Sequence, residues 1–469
     1  MPERILLLTG HLAEARLQRV LTGMGETGFE WEVVNIGVKV AALMTEQIIL
    51  RRLKRPLKAD RVLFPGRAGV DPARLSEAFG VAFERGPDEI ADLPRYLGHG
   101  GREPDLSGHD TTIFAEIVEA PQLTIKALLM RARVLRDEGA DVIDLGCQPG
   151  RAFPHLEDSI RWLKQEGFRV SVDSGNAEEL RRGAIAGADF VLSLTEATLD
   201  VVERTEAVPV LIPSAPGDLD SLVRAIQGAE RRGLRYIADP VLDPIHFGFT
   251  ASLCRYRALR ERLPEVEMLM GTGNLTELTD ADSSGVTALL MGVCSELAIR
   301  NVLVVQVSPH TRRTVAEHDF ARRLMYAARA DHDLPRGYGR GLLQVHERYP
   351  YPLSTADIAE EAAAVRDTNF RIVTAEDGIH VFSSRMHKVR SSAMELFPTL
   401  QVERDGAHAF YLGTELARAE IAFRLGKRFS QDEPLDWGCA ETPSERDRTR
   451  LVAAGHSLRA RQDDKPDDS

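Results

Sequence analysis

From residue 112 onward, short runs of β-branched and aliphatic residues alternate with longer stretches whose apolar positions recur every three or four residues. The runs are TIFAEI (112–117), VIDLG (142–146), RVSVDS (169–174), FVLSLT (190–195), PVLIPS (209–214), YIADPVL (236–242), EMLMGTGN (267–274) and VLVVQV (302–307). Continuous apolar runs of this length predict strands buried on both faces, and intervening segments such as TIKALLMRARVLRDEGA and DLDSLVRAIQGAERRG predict amphipathic helices. Eight βα units in about 220 residues predict a (β/α)8 TIM barrel rather than an open doubly wound sheet, because barrels typically take about 250 residues.

The flanks have a different rhythm. RILLLTG, HLAEARLQRVLTGMG, WEVVNIGVKVAAL and ADRVLFPGRAG predict a small α/β domain over residues 1–108, closing at the Gly- and Asp-rich GHGGREPDLSGHD. The single glycine at Thr9–Gly10 suits an ordinary strand-to-helix turn better than a phosphate cradle. Beyond the barrel (109–335) and the connector RGYGRGLL come a helical TADIAEEAAAVRDT, a hairpin in FRIVTAEDGIHVFSS and an amphipathic AFYLGTELARAEIAFRLG. These predict an α+β domain over 336–445, followed by a polar, disordered tail at 446–469. The fold class is therefore α/β, with several domains in 469 residues.

A net charge of −12 argues against a broad nucleic-acid or membrane-surface role. The basic RRLKRPLK at 51–58 has few aromatics and predicts a solvated helix face. Four scattered cysteines without a CxxC pair suggest neither a zinc site nor a disulfide framework. With no signal-peptide pattern and no apolar run near the roughly 18 residues of a membrane span, the expected address is the cytoplasm.

Chemistry in a barrel belongs at the C-terminal ends of its strands. In chain order those ends supply Glu116 and Glu119; Asp144, Gln148 and Arg151; Asp173; Ser193; Ser214; Asp239, Asp243 and His246; Asn274; and Gln306, Ser308 and His310. So many acceptors suit a neutral, nitrogen-rich heterocycle whose ring NH and exocyclic NH2 groups donate. A phosphorylated sugar fits poorly, as no Gly-rich phosphate loop follows the last two strands. Any one aspartate can instead cap the next helix, as DSGNAEE and DLGCQPG each allow. The carboxylates lack metal-ligand spacing, so no metal centre is predicted beyond a labile Mg2+ carrying waters.

Three stretches, ALLMRARVLRDEGADVIDLGCQPGR, VSVDSGNAEELRRGAIAGADFV and ADPVLDPIHFGF, resemble the pterin-binding barrel superfamily of dihydropteroate synthases and pterin-dependent methyltransferases. The resemblance covers about half the chain. It implies that Asp173 and Asp239 hold the amino-pyrimidine edge of a pterin, which is substrate or ligand, and that the barrel pairs as a homodimer. The three-part arrangement resembles dihydropteroate synthase-related proteins of tetrahydromethanopterin pathways in methanogens and methylotrophs. That implies a transferase of tetrahydromethanopterin biosynthesis and one-carbon metabolism, joining hydroxymethyl-dihydropterin diphosphate to ribofuranosyl-aminobenzene phosphate. Candidate catalytic residues are Asp144 and Arg151; candidate pterin-binding residues are Asp173, Ser193, Asp239, Asn274, Glu116, Gln148 and Gln306.

The chain also departs from the synthase pattern. VEAPQLT stands where synthases carry Thr-Pro-Asp-Ser-Phe, TGNLTE where they carry Ser-Arg-Lys, and QVSPH where they carry Arg-x-His. The last two changes remove cations, for which Arg151, Arg312 and Arg313 are the available substitutes. GTGNLTEL instead resembles the methyltransferase branch, where an Asn matching Asn274 contacts the pterin near its methyl-bearing nitrogen. Methyl transfer with a corrinoid protein, or pterin binding without turnover, therefore stands as the alternative.

Overall fold

The computed structural model describes residues 2–88, 90–98 and 105–442, so the tail at 446–469 and part of the first linker lie outside the described residues. Two compact units emerge: Pro104–Gln344 with Trp437–Thr442, and a second that gathers Met1–Glu103 with Val345–Asp436.

In the second unit, β1 (Glu3–Thr9), β2 (Phe29–Asn35), β3 (Arg61–Phe64) and β4 (Ala82–Arg85) form a parallel sheet in the order β2-β1-β3-β4. The unbroken apolar run of β1 follows from its place in the middle. Ile5 and Leu7 pack with Leu17 and Leu21 of the helix Glu14–Gly23, while Leu6 and Leu8 pack with Ile49 and Leu75 on the opposite face. β4 is an edge strand with only Phe83 deeply buried, and its VAFER lacks the apolar run that marks the others. Arg51, Arg52, Lys54 and Arg55 of the basic cluster are exposed.

The barrel comprises β5 (Thr112–Ile117), β6 (Val142–Gly146), β7 (Arg169–Asp173), β8 (Phe190–Leu194), β9 (Val208–Leu211), β10 (Ile237–Ala238), β11 (Leu269–Gly271) and β12 (Asn301–Val305). All pairings are parallel, in the order β10-β9-β8-β7-β6-β5-β12-β11. A single bridge between Ala238 and Met268, with the Ala238 amide donating to the Glu267 carbonyl at 2.8 Å, joins the two ends of the ladder. β10 stops after two residues; Pro240 has no N–H to extend it.

The outer face of the strands packs against the surrounding helices in one large apolar core. The interior has its own smaller core of Phe114, Val142, Phe190, Leu192, Val210, Ile237 and Leu269, with the Phe114 and Phe190 rings edge to face at 4.9 Å. After β8 the usual helix shrinks to the 3-10 turn Leu199–Val202.

The C-terminal segment adds an antiparallel sheet of β13 (Arg371–Ala375), β14 (Gly378–Ser383) and β15 (Met386–Arg390), flanked by the helices Thr355–Ala364 and Gly406–Leu425. The first two strands form the expected hairpin. The third, MHKVR, is mostly exposed and charged, so nothing in its pattern marks it as a strand. Arg19 pairs with Asp357 at 3.6 Å and Glu360 at 3.3 Å, and Arg428 with Asp92 at 2.9 Å. The two flanking segments, which composition divides into two domains, thus meet within one unit.

Beneath the barrel strands, the Arg322 side chain is only 2% exposed. Its guanidinium meets Asp141 at 2.5 Å and Asp319 at 2.7 Å and donates to the carbonyls of Thr111 and Gly139. Deleting one side of a buried, multiply bonded pair costs about 3–5 kcal/mol. Arg322→Ala is expected to destabilise the barrel by that order, read as a lowered urea midpoint.

Candidate functional site

The C-terminal ends of the strands open into a cavity of about 440 Å³. Its walls are largely apolar, from Leu192, Val210, Ile212, Leu269, Leu303 and Val305. Into this lining project Glu116, Asp173, Ser193, Asp239, Asn274 and Glu277.

The capping alternative for the strand-end aspartates does not hold. The helix Ala177–Ala186 after β7 is capped by Asn176, which accepts from the Glu178 amide, and the helix Leu156–Gln165 after β6 has no side-chain cap. Asp173 and Asp144 are free of that duty.

Asp173 accepts a hydrogen bond from Ser193 Oγ at 2.7 Å. Ser193 reaches it from a left-handed backbone, φ 73°, where the β8–β9 register shifts between Val191 and Leu194. Asp239 accepts from Tyr256 Oη at 2.5 Å and from the Val241 amide at 2.8 Å, both at Oδ1. That amide contact helps hold Val241 at φ 69°, an unusual conformation for a β-branched residue. Arg255 braces the same loop through the carbonyls of Pro240 and Val241 and the carboxylate of Asp243. Asn274 donates from Nδ2 to the Leu242 carbonyl at 2.7 Å, leaving its Oδ1 as an acceptor.

Asp144 lies inside the barrel under this floor, with no exposed surface. Ser171 Oγ donates to its Oδ1 at 2.5 Å, while Oδ2 has no partner among the described residues. Burial, then the neighbouring Asp173 and Glu116, push its carboxyl well above the usual range. Burial and Asp173 likewise raise Glu116 to about 7. Burial raises Asp173 against the opposing Ser193 hydrogen bond, and raises Asp239 to about 6 against those of Tyr256 and Val241. Glu277 behaves oppositely: burial works against its charge but is outweighed by hydrogen bonds from Ser308, Thr311 and the Val307 amide, so it titrates lower than usual.

Not every expected residue joins the cavity. Asp144 sits behind it, and Arg151 is exposed and outside the lining. Gln148 is outside too, accepting from Gln122 at 3.0 Å. Gln306 faces the helices, where it donates to Glu138 and accepts from the Val315 amide, so its role here is structural. Arg313 is tied to Glu138 at 2.6 Å, which removes it as a substitute cation. His310 bonds to the Thr276 carbonyl, and among the described residues no group of His, Cys, Asp or Glu side chains has the arrangement to hold a metal ion. Tyr256 and Glu277 went unnoticed in the sequence: one lies mid-way along the arginine-rich helix Phe249–Arg262, the other three residues beyond Asn274 at the end of the short helix Gly273–Thr276, and neither ends a strand.

A model of a family of unknown function, DUF6513, matches residues 3–88. An uncharacterized protein of Methanocaldococcus jannaschii is 25% identical over 92% of this chain and 99% of its own length. Among solved structures, the chain is similar to dihydropteroate synthases over about half its length. The Xanthomonas albilineans enzyme in complex with 7,8-dihydropteroate is 22% identical, covering 49% of this chain and 96% of that one at a TM-score of 0.37. The Yersinia pestis enzyme with a pterin–sulfa conjugate is 17% identical, covering 48% and 95% at 0.37. No helix among the described residues is long and apolar enough to cross a membrane.

The raised carboxyls have a consequence for stability. In the unfolded chain they titrate near about 4, so the folded state holds extra protons between there and about 7. Their stabilising contribution is full below the unfolded values and is lost as pH rises through the folded ones. The urea midpoint is expected to fall from about pH 4 to pH 7 on their account, and Glu116→Gln to flatten the upper part of that fall.

Proposed function

We propose that this cavity binds a pterin, and that the barrel acts as a dihydropteroate synthase-like transferase. The observation that carries the reading is the pairing of Asp173 and Asp239 on the cavity wall. Each has one oxygen held by a hydroxyl, and its other oxygen has no partner among the described residues. Two such acceptors with the Asn274 oxygen match the donor edge of an aminopyrimidine, and the aliphatic wall suits the flat faces of a bicyclic ring. A cavity of about 440 Å³ is of a size for such a ligand.

The reaction in this reading is the condensation of hydroxymethyl-dihydropterin diphosphate with ribofuranosyl-aminobenzene phosphate in tetrahydromethanopterin biosynthesis. The arylamine nitrogen attacks the pterin methylene, the C–O bond breaks, and its electron pair leaves with diphosphate. The protein's contribution is to position both partners and to keep water from the reacting carbon. Mg2+ bound to the diphosphate would supply positive charge at the leaving group, whereas Arg151 lies exposed outside the cavity lining.

One observation favours a second reading. Among the described residues, the cavity lining holds Glu116, Asp173, Asp239 and Glu277 but no basic side chain. A site that never meets diphosphate, as in methyl transfer to a corrinoid protein or binding without turnover, has no need of one.

Pyrophosphate release in Mg2+ buffer, with and without the arylamine, separates these: arylamine-dependent release supports condensation, and pterin binding without release supports the second reading. Asp173→Asn is expected to weaken pterin binding by roughly a hundredfold, the scale of a lost charge-assisted pair left unmatched in a buried site, with an unchanged circular dichroism spectrum. Unchanged affinity in a folded variant would place the pterin elsewhere.

A further inference from the structure

Glu116 stands apart from the other carboxylates of the cavity. Asp173 is held by Ser193, Asp239 by Tyr256 and the Val241 amide, and Glu277 by the Val307 and Ser308 amides and Thr311. Glu116 lines the same cavity, yet its carboxyl has no hydrogen bond among the described residues. The chain makes room for it: a Cβ on Gly146 would lie 2.4 Å from Glu116 Oε1 and 3.2 Å from Val118 Cα. Gly146 is the residue of β6 paired with Asp173, so the missing side chain lets the Glu116 carboxyl extend over the neighbouring strand.

We infer that Glu116 is the proton acceptor of the site, taking the proton that the arylamine nitrogen sheds as it bonds to the pterin methylene. The inference rests on the condensation proposed above. In balance, the N–C bond forms, the C–O bond to diphosphate breaks with its electron pair on diphosphate, and the N–H proton passes to a Glu116 oxygen. The carboxylate is regenerated by release of that proton to solvent through the cavity mouth.

The surroundings suit the role. Glu116 faces Asp173 from β7 and Asp144 from β6, with Asp239 after β10 and the Arg255 guanidinium bonded to Asp243 and the Pro240 and Val241 carbonyls. With no cation among the described residues to fix its charge, Glu116 changes protonation state near neutrality, at about 7, where proton transfer is most effective. The other cavity carboxylates are committed to hydroxyl or amide donors, which suits them to holding a ligand rather than exchanging protons.

The test is pyrophosphate release by the full chain from the pterin diphosphate and the arylamine, followed between about pH 5 and pH 9, beside equilibrium binding of hydroxymethylpterin. Wild type is expected to show kcat/KM rising through about pH 7. Glu116→Gln is expected to bind hydroxymethylpterin within about threefold of wild type while losing on the order of a hundredfold in kcat, together with the rising limb. Gly146→Ala displaces the carboxyl without removing it and is expected to lower kcat with the limb retained, which serves if the glutamine variant does not fold. A folded Glu116→Gln that keeps its rate and its pH profile overturns the assignment and leaves the pterin site standing. Wild type that binds the pterin but releases no pyrophosphate overturns the condensation, and the proton acceptor with it.

Discussion

A closed barrel must fill its own interior, and what fills the top layer determines what the protein can do. Below, Phe114, Val142, Phe190 and their neighbours form a buried apolar plug. Above it, the barrel places carboxyls where other barrels place aliphatic side chains: Glu116, Asp144 and Asp173 arise from three adjacent strands. Burying charge on this scale costs several kcal/mol per ion unless partners or protons compensate. Ser171, Ser193 and Tyr256 supply hydroxyl donors, and protonation answers for the rest. The apolar walls, the strained loops and the shifted titrations all follow from that layer.

The strained backbones are part of the same solution. Ser193 donates to Asp173 from a strand that breaks register, and Val241 donates its amide to Asp239 with φ positive. Both positions adopt conformations that a regular strand or loop would avoid, and both lie on the cavity wall. Strain retained at such points is understandable when the alternative is a buried carboxylate with one donor fewer.

Much of this was legible in the sequence because the barrel repeats one pattern. Buried strands advertise themselves by continuous apolar runs, and the polar residue ending each run marks the mouth. The pattern is weaker where structure is set by a few atoms. β10 contributes two residues because of Pro240, and β15 is an exposed edge strand, so periodicity says little about either. Direction is a further limit: Gln306 ends a barrel strand, as Asp173 does, yet turns outward to Glu138 and Val315. Tyr256 reaches the site from a helix more than a dozen residues beyond Asp239, a relation that only packing creates.

The acid-rich mouth also constrains how the site can work. Five acids in equivalent surroundings, the four that line the cavity and Asp144 behind it, would either repel one another or share protons without distinction. Here local donors separate them. Glu277, with three donors, stays ionised; Asp144, fully buried beside Asp173 and Glu116 with only the Ser171 hydroxyl donating to it, is driven toward the neutral acid. Asp239, at about 6, lies between, Asp173 is raised by burial, and each keeps acceptor capacity for a ligand that brings its own donors. A heterocycle rich in N–H groups relieves the cavity of unpaired acceptors as it binds, whereas an anionic group adds to the repulsion unless it arrives with its own cation. The same layer that makes the empty barrel costly to fold thus gives it a preference for donor-rich ligands.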